Sequence, residues 1–392
     1  MKKRFLRIFF FGATGLTMLC VAFVGITALG NRSLPAQSQV TDHLSELEKA
    51  RLAEAKHLRQ TLGDTVWPGW GLHDIPFIVY NEAYAFLVGY PRPPDGWVKM
   101  PQNDLRGGPW EAVPGDTFEG QVYYRQRLPN PEITPENFTV MVGERWVATM
   151  ETKEYMEIHF YDQLREELPS FLRPVFPYRL FWGLLIDTTE TYIGALEHEA
   201  FHALQGSVIP SRLAEAEKAN QSESQYPWDD PTLSEDWQEE LDLLVRAVQA
   251  QSNEETIGLV RQFLALRDNR RITAGLNQDL ADYERQREWL EGLAKYAELA
   301  IGRLAGTTPG YTYLPALAAD PDFKEYTTRE QYWSGQIGEV RRTSGREGET
   351  RFYYSGMAQA VLLDRLLPDW KEQGFDPDVM LEDLLRQAAG QP

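Results

Sequence analysis

The rhythm of apolar and polar positions changes several times along this chain, and each change marks a different kind of element. Behind the basic start MKKRFLR, the run Ile8–Gly30 carries no charged residue. A cleaved export signal has an apolar core of about 7–15 residues and a membrane span needs about 20, so this length leans towards a retained single-span anchor. Cleavage after Gly30 or Ala36 is the alternative. Thr41–Gly63 is charged but spaces Leu44, Leu47, Leu58 and Leu62 for a helix, which reads as a stalk or a packing helix. From Asp64 to about Thr149 the pattern shortens into strand-like runs, PFIVY, GQVYYRQ, FTVMVG and RWVATM, joined by the turn-rich PRPPDG and LPNPEITPEN. From about Glu151 helical spacing dominates. The expected fold class is α+β: a membrane anchor or signal (residues 1–30), a helical stalk (31–63), a β-rich domain (64–150) and a mostly helical domain (151–392).

Start and stop signals divide the helical part. Asp187-Thr188-Thr189-Glu190 reads as a capping-box-like start. Ile193, Leu196, Ala200 and Leu204 follow at helical spacing, and Gly206 is placed to end that helix. Thr232…Glu235 and Ser252…Glu255 open two further helices, about Ser234–Gln251 and Glu254–Arg267. A longer pattern covers about Asn277–Leu304. Its Gly292 costs about 1 kcal/mol against Ala in mid-helix, which close approach to the Ile193–Leu204 helix would explain. Asn220–Glu235, polar and acidic with Pro227 and Pro231, reads as a flexible stretch and a possible lid. EYMEIHF reads as strand-like and carries His159, expected to be structural.

Charge and cysteine usage narrow the function classes. The net charge is −19, and no basic patch follows the first residues, which excludes nucleic acid as the partner class. Cys20 is the one cysteine. It lies in the apolar run behind Leu19, where lipid attachment would want a small residue. There is no disulfide framework, thiolate metal site or cysteine nucleophile in the rest of the chain. Lys2, Lys3 and Arg4 are expected to stay cytoplasmic, so the body faces outward, and a disulfide-free body fits a bacterial envelope.

The chemistry is concentrated in ALEHEAFHALQG (195–206). His198 and His202 are four apart on the predicted helix and project from one face, where two imidazoles can bind one zinc ion. Glu199 is rotated towards the same cleft and suits a general base acting on water; this is the HExxH arrangement. A catalytic zinc needs a third protein ligand. No histidine follows His202, so that ligand must be a carboxylate. Glu215, Glu217, Glu223, Glu239 and Glu240 are near in sequence; Glu288, Glu291 and Glu298 lie in the later helix, and Glu291 is the preferred ligand.

HEAFH followed by EGLAKY resembles the gluzincin group of zinc metallopeptidases, to which thermolysin and the large zinc aminopeptidases belong. The resemblance covers about Asp187–Tyr296. It implies a zincin-like catalytic domain with a helical insertion between the ligands, one zinc ion held by His198, His202 and Glu291, and Glu199 as general base. Two departures leave exopeptidase and endopeptidase both open. The NExxSD context of thermolysin-like enzymes is absent, and Ala148-Thr149-Met150-Glu151-Thr152 matches the aminopeptidase GxMEN segment only by coincidence. RFYYSGM resembles the segment that supplies an oxyanion-stabilising tyrosine in the aminopeptidases, with Ser355 where that segment has lysine. Tyr353 or Tyr354 takes that role, with Tyr296 as the next choice. The expected function is zinc-dependent hydrolysis of a peptide or protein substrate by an extracytoplasmic enzyme anchored through its N-terminal segment. The alternative is an envelope binding or assembly protein that keeps the fold without cutting.

Overall fold

About 60% of the chain is helical, and the remaining regular structure is one curled sheet of eight strands, a mixed α+β architecture as expected. The computed structural model describes residues 23–100, 104–128, 139–186, 188–345 and 348–391. The apolar run up to residue 22, most of the LPNPEITPEN turn and the capping position Asp187 lie outside them. No helix among the described residues is long and apolar enough to cross a membrane.

The first long helix, α1 (Glu46–Val66), is capped by Ser45, whose side chain accepts from the Glu48 amide. Leu52, Ala55, Leu58, Leu62 and Val66 recur at helical spacing and are all buried. That stripe needs cover, so α1 packs within the main core instead of standing off as a stalk.

The strands β1 (Phe77–Tyr80), β2 (Tyr84–Val88), β3 (Trp97–Lys99), β4 (Asp104–Arg106), β5 (Glu111–Ala112), β6 (Tyr124–Arg127), β7 (Thr139–Val142) and β8 (Arg145–Glu151) lie in the order β4-β3-β7-β8-β1-β2-β6-β5. β1 runs parallel to β8 and every other pair is antiparallel. Two tight turns set the register. Asn81 accepts from the Ala83 and Tyr84 amides at 2.9 Å each, closing β1 onto β2. Gly143, at φ 59°, supplies the left-handed residue between β7 and β8. Side chains alternate between faces: Ile78, Tyr80, Leu87, Val140 and Val142 form a small outer cluster. Phe77, Val79, Phe86, Val88, Trp146 and Met150 join the main core, so one face of the sheet shares its interior with the helices.

The helices α2 (Lys153–Glu167) and α3 (Tyr178–Leu185) follow the sheet. EYMEIHF is therefore helical. Thr152 caps it, accepting from the Tyr155 amide, and this start outweighs a brief apolar alternation. The helix α4 (Thr189–Val208) carries HEAFH, with Thr188 as its N-cap, and packs between β8 on one side and α1 and α9 (Leu293–Thr307) on the other. Gly206 does not end α4. A Cβ there would drive into the indole of Trp146, so this glycine lets the helix lie on the sheet.

Between α4 and α9 the chain folds α5 (Pro210–Ala219), α6 (Pro231–Gln249), α7 (Asn253–Thr273) and α8 (Gln278–Arg287). Ser252 caps α7 as its capping box predicts, whereas α6 starts earlier than expected, capped by Asp230. The stretch 220–235 is pinned: buried Tyr226 donates to Glu284 at 2.5 Å and receives Trp237 Nε1 at 2.9 Å. A π turn, Glu288–Gly292, joins α8 to α9. The chain closes with α10 (Arg329–Glu339), α11 (Thr350–Leu366), α12 (Trp370–Gly374) and α13 (Leu381–Ala388). Gly292 faces Gly356 of α11, not α4: a Cβ on Gly356 would stand 2.8 Å from Gly292 Cα and closer still to the Glu288 carbonyl. Backbone stands on both sides of this contact, so neither helix can yield cheaply. We therefore expect Gly356→Ala to destabilise the fold by about 1–3 kcal/mol, read as a lower denaturation midpoint at unchanged slope. An unchanged midpoint would mean that the contact is not needed.

Candidate metal centre

On α4, His198 and His202 are one turn apart and buried, each 7% exposed. The π turn brings Glu291 opposite them, 93 residues on from His198. His198 Nε2 lies 3.2 Å from His202 Nε2, and Glu291 Oε2 lies 3.3 Å from each. With metal–ligand bonds of about 2.0–2.1 Å, two ligands of a tetrahedral zinc stand roughly 3.3 Å apart. The three atoms form a triangle with that edge, and these residues are the one potential metal-holding group of three or more among the described residues.

The supporting residues fix which nitrogen faces the triangle. Gln205 Nε2 donates to the carbonyls of Trp289 (3.2 Å) and Leu290 (3.3 Å). Its Oε1 therefore accepts from His202 Nδ1 at 2.8 Å. His198 Nδ1 points to Glu298 Oε2 at 3.3 Å, and Glu298 in turn accepts from Lys295 at 2.6 Å. With both Nδ1 atoms turned to acceptors, both Nε2 lone pairs and a carboxylate oxygen converge on one point. Three electron-rich atoms at that spacing repel one another unless a cation lies among them. The donor set fits zinc: two imidazoles and one carboxylate, with acceptors ordering the histidines. In the metal-free protein a proton does this work. Burial disfavours a charged His198, but the Glu291 and Glu298 carboxylates outweigh it and raise its pKa to about 10. Burial likewise opposes ionised Glu291, yet His202 and Arg287 hold its pKa well below the usual range.

No family model, no curated protein and no solved structure matches this chain.

Glu199 lines the same cavity, a space of 260 Å³ that also meets His202, Glu291, Tyr353, Arg287, Glu217 and Glu349. Its Oε2 is shielded from solvent and has no hydrogen-bond partner among the described residues, and burial raises its pKa to about 7 despite the nearby histidines. Thr139 Oγ1 donates to the Glu199 carbonyl at 3.0 Å, tying β7 to this turn of α4. Arg287 bridges Glu291 Oε1 (2.7 Å) and Glu349 Oε2 (2.6 Å).

The two tyrosine candidates separate. Tyr353 stacks on His198, with ring centroids 5.5 Å apart and an interplanar angle of 6°, and it lines the cavity together with Glu291. Tyr354 turns the other way and donates to Gln336 at 2.8 Å. Tyr296 bonds Asp364, in a separate groove. Of the alternative carboxylates, Glu217 lines the same cavity but is not part of the triangle, and those that follow lie elsewhere. Glu288 is held by Arg267 through two bonds of 2.7 Å, Glu240 accepts from Arg267 at 3.1 Å, and Glu215 and Glu239 are exposed. Glu298 stands behind His198 instead of beside Glu291. Glu151 turns to His159 at 2.6 Å, in keeping with a coincidental motif match and a structural His159.

Sequence reading missed Gln205, Arg287 and Glu349. Gln205 alone had a signal: it follows His202 by three, one turn away on the same helix. Two outcomes are expected. Glu298→Ala should weaken zinc binding by about 10–100-fold, measured by chelator competition, while exposed Glu215→Ala leaves it unchanged. Equal affinities would remove Glu298 from the site. Because His198 carries a proton at neutral pH, zinc uptake should release it, and affinity should fall as pH falls. Calorimetry in buffers of different ionisation heat reads this directly, and a binding heat that does not depend on the buffer would contradict it.

Proposed function

We propose that this chain is a zinc-dependent metallopeptidase with a zincin-like catalytic core. The observation that carries the reading is the ligand-spaced triangle of His198, His202 and Glu291 with the unpartnered carboxylate of Glu199 on the same cavity. Bound there, zinc would polarise a peptide carbonyl and bring the pKa of a water molecule down towards about 7. Glu199, with a pKa near 7, is matched to take a proton from the attacking water and pass it to the leaving amine.

Tyr353 is the donor for the developing oxyanion. Burial and the neighbouring Glu291 push its phenol pKa well above the ordinary value, so the hydroxyl stays protonated at neutral pH. Its ring, stacked on His198, places it on the wall of the cavity where a substrate carbonyl would enter. Arg287 has a separate job: it holds Glu291 from the side facing away from the histidines. At 260 Å³ the cavity is below the ~300–1,000 Å³ of pockets that enclose drug-sized ligands, so it takes a short length of substrate.

The N-terminal apolar run supports an outward-facing, membrane-attached enzyme of a bacterial envelope, with a peptide or protein as substrate. Glu199→Gln is the test: peptide hydrolysis should fall by at least about 10²–10⁴-fold while zinc content stays near one per chain. Undiminished hydrolysis in that variant would sink the mechanism. A zinc-loaded wild-type chain that cleaves nothing in a diverse peptide library would turn the reading to a binding or assembly protein.

A further inference from the structure

Large exposed apolar side chains are concentrated in one stretch of this surface. Phe171, Leu172, Leu180, Phe181, Leu184 and Leu185 are between 38% and 75% exposed, all within the turn before α3 and α3 itself. The others outside the N-terminal segment, Leu72, Leu105, Val122, Val208 and Ile272, are far apart in the sequence. Scattered apolar residues need no explanation, but a contiguous patch marks an interaction surface. This patch is braced. Trp182 packs on Phe160 and Tyr178 on Tyr161, fastening α3 to α2.

Two observations indicate what covers it. The first is the path of the chain. Asn31 Nδ2 donates to the carbonyls of Pro174 (3.0 Å) and Phe176 (2.9 Å), and Arg179 donates to the Ser33 carbonyl at 2.9 Å. The end of the apolar run Ile8–Gly30 is thus fastened to this hairpin, and Phe23, Val24, Ile26 and Leu29 are exposed at the end of that run. The second is charge. Residues 168–186 carry Arg173 and Arg179 and no acidic residue, in a chain of net charge −19. Apolar side chains with flanking arginines and aromatic rings are the composition of a segment lying at the headgroup boundary of an anionic membrane.

We propose that residues 169–185 are a membrane-docking face, embedded in the surface of an anionic bilayer beside the point where the N-terminal run enters it. The inference rests on reading Ile8–Gly30 as membrane-entering and is independent of the metal site, so either can fail alone. It orients the body: with the run and the hairpin both in the lipid surface, the chain lies down on the membrane and cannot swing freely about a tether.

The full chain carrying Cys20→Ser and Leu184→Cys, labelled with an environment-sensitive fluorophore and reconstituted in phosphatidylethanolamine–phosphatidylglycerol vesicles, tests this. A nitroxide-headgroup lipid should quench the label about twofold or more beyond a label at Ile272→Cys. Equal quenching at both positions, with the Leu184 label open to aqueous iodide, overturns the proposal. So does an interchain disulfide at Leu184→Cys without lipid quenching, which assigns the face to a second copy. Carbonate extraction reports separately whether the run 8–30 is integrated; lipid quenching of a chain that carbonate releases still supports the docking face.

Discussion

The helices around α4 are arranged about one electrostatic constraint: a carboxylate oxygen and two imidazole nitrogens held about 3.3 Å apart in the interior. Left to themselves these groups would take up water and separate, because burying ionisable groups costs several kcal/mol each unless they are paired. Here they are paired on their outer sides and left open inwards. Gln205 and Glu298 take the outer nitrogens, and Arg287 takes the outer oxygen of Glu291. What remains is a concentrated negative potential at a single point. A proton satisfies it in part and a divalent cation satisfies it better.

Holding Glu291 there is the task of the π turn. On a regular helix Glu288 and Glu291, three apart, would share a face and compete for the same surroundings. The wider turn separates them. Glu288 is drawn to Arg267 and to Ser355 at 2.5 Å, and Glu291 to the histidines. Arg267 and Arg270 also bind Glu240 and Glu284, so α6, α7 and α8 are fastened to the turn by buried ion pairs. The Gly292–Gly356 contact then brings α11 close enough to lay Tyr353 on His198. A π turn commonly marks a functional position in a helix, and here its consequence is visible in which carboxylate goes where.

The sequence made the ligands legible because their information is local or countable. HEAFH on a capped helix fixes two side chains on one face, and exhausting the histidines forces a carboxylate. Gly292 signalled close approach correctly but not its partner, since a missing side chain says that something is near and not what. The choice between Tyr353 and Tyr354 was illegible for a similar reason: adjacent helical residues point about 100° apart, and only the docking of α11 decides which one meets the site. The stripe of α1 left a stalk and a packing helix both open because its charged residues outnumber its leucines; their pairing inside the core, as with Arg59 and Glu197 at 2.9 Å, is tertiary. The strands β3, β4 and β5 run three, three and two residues, too few to show an alternation along the chain.

The way Glu291 is delivered also bears on what kind of metal site the cluster could form. In a small zinc domain the metal organises a chain that is otherwise unfolded. Here α4 is clamped between sheet and helices by a continuous apolar core, and the Glu291 turn is fixed by arginines and a glycine contact that do not involve the site. The three side chains are thus each held by groups other than a metal. A metal bound there would add stability by mass action, about 4 kcal/mol at a thousandfold excess over its dissociation constant. Preorganisation of this kind suits catalysis more than structural support. A structural site encloses its metal with four protein ligands, whereas this one offers three and turns its open side to a cavity bearing Glu199 and Tyr353.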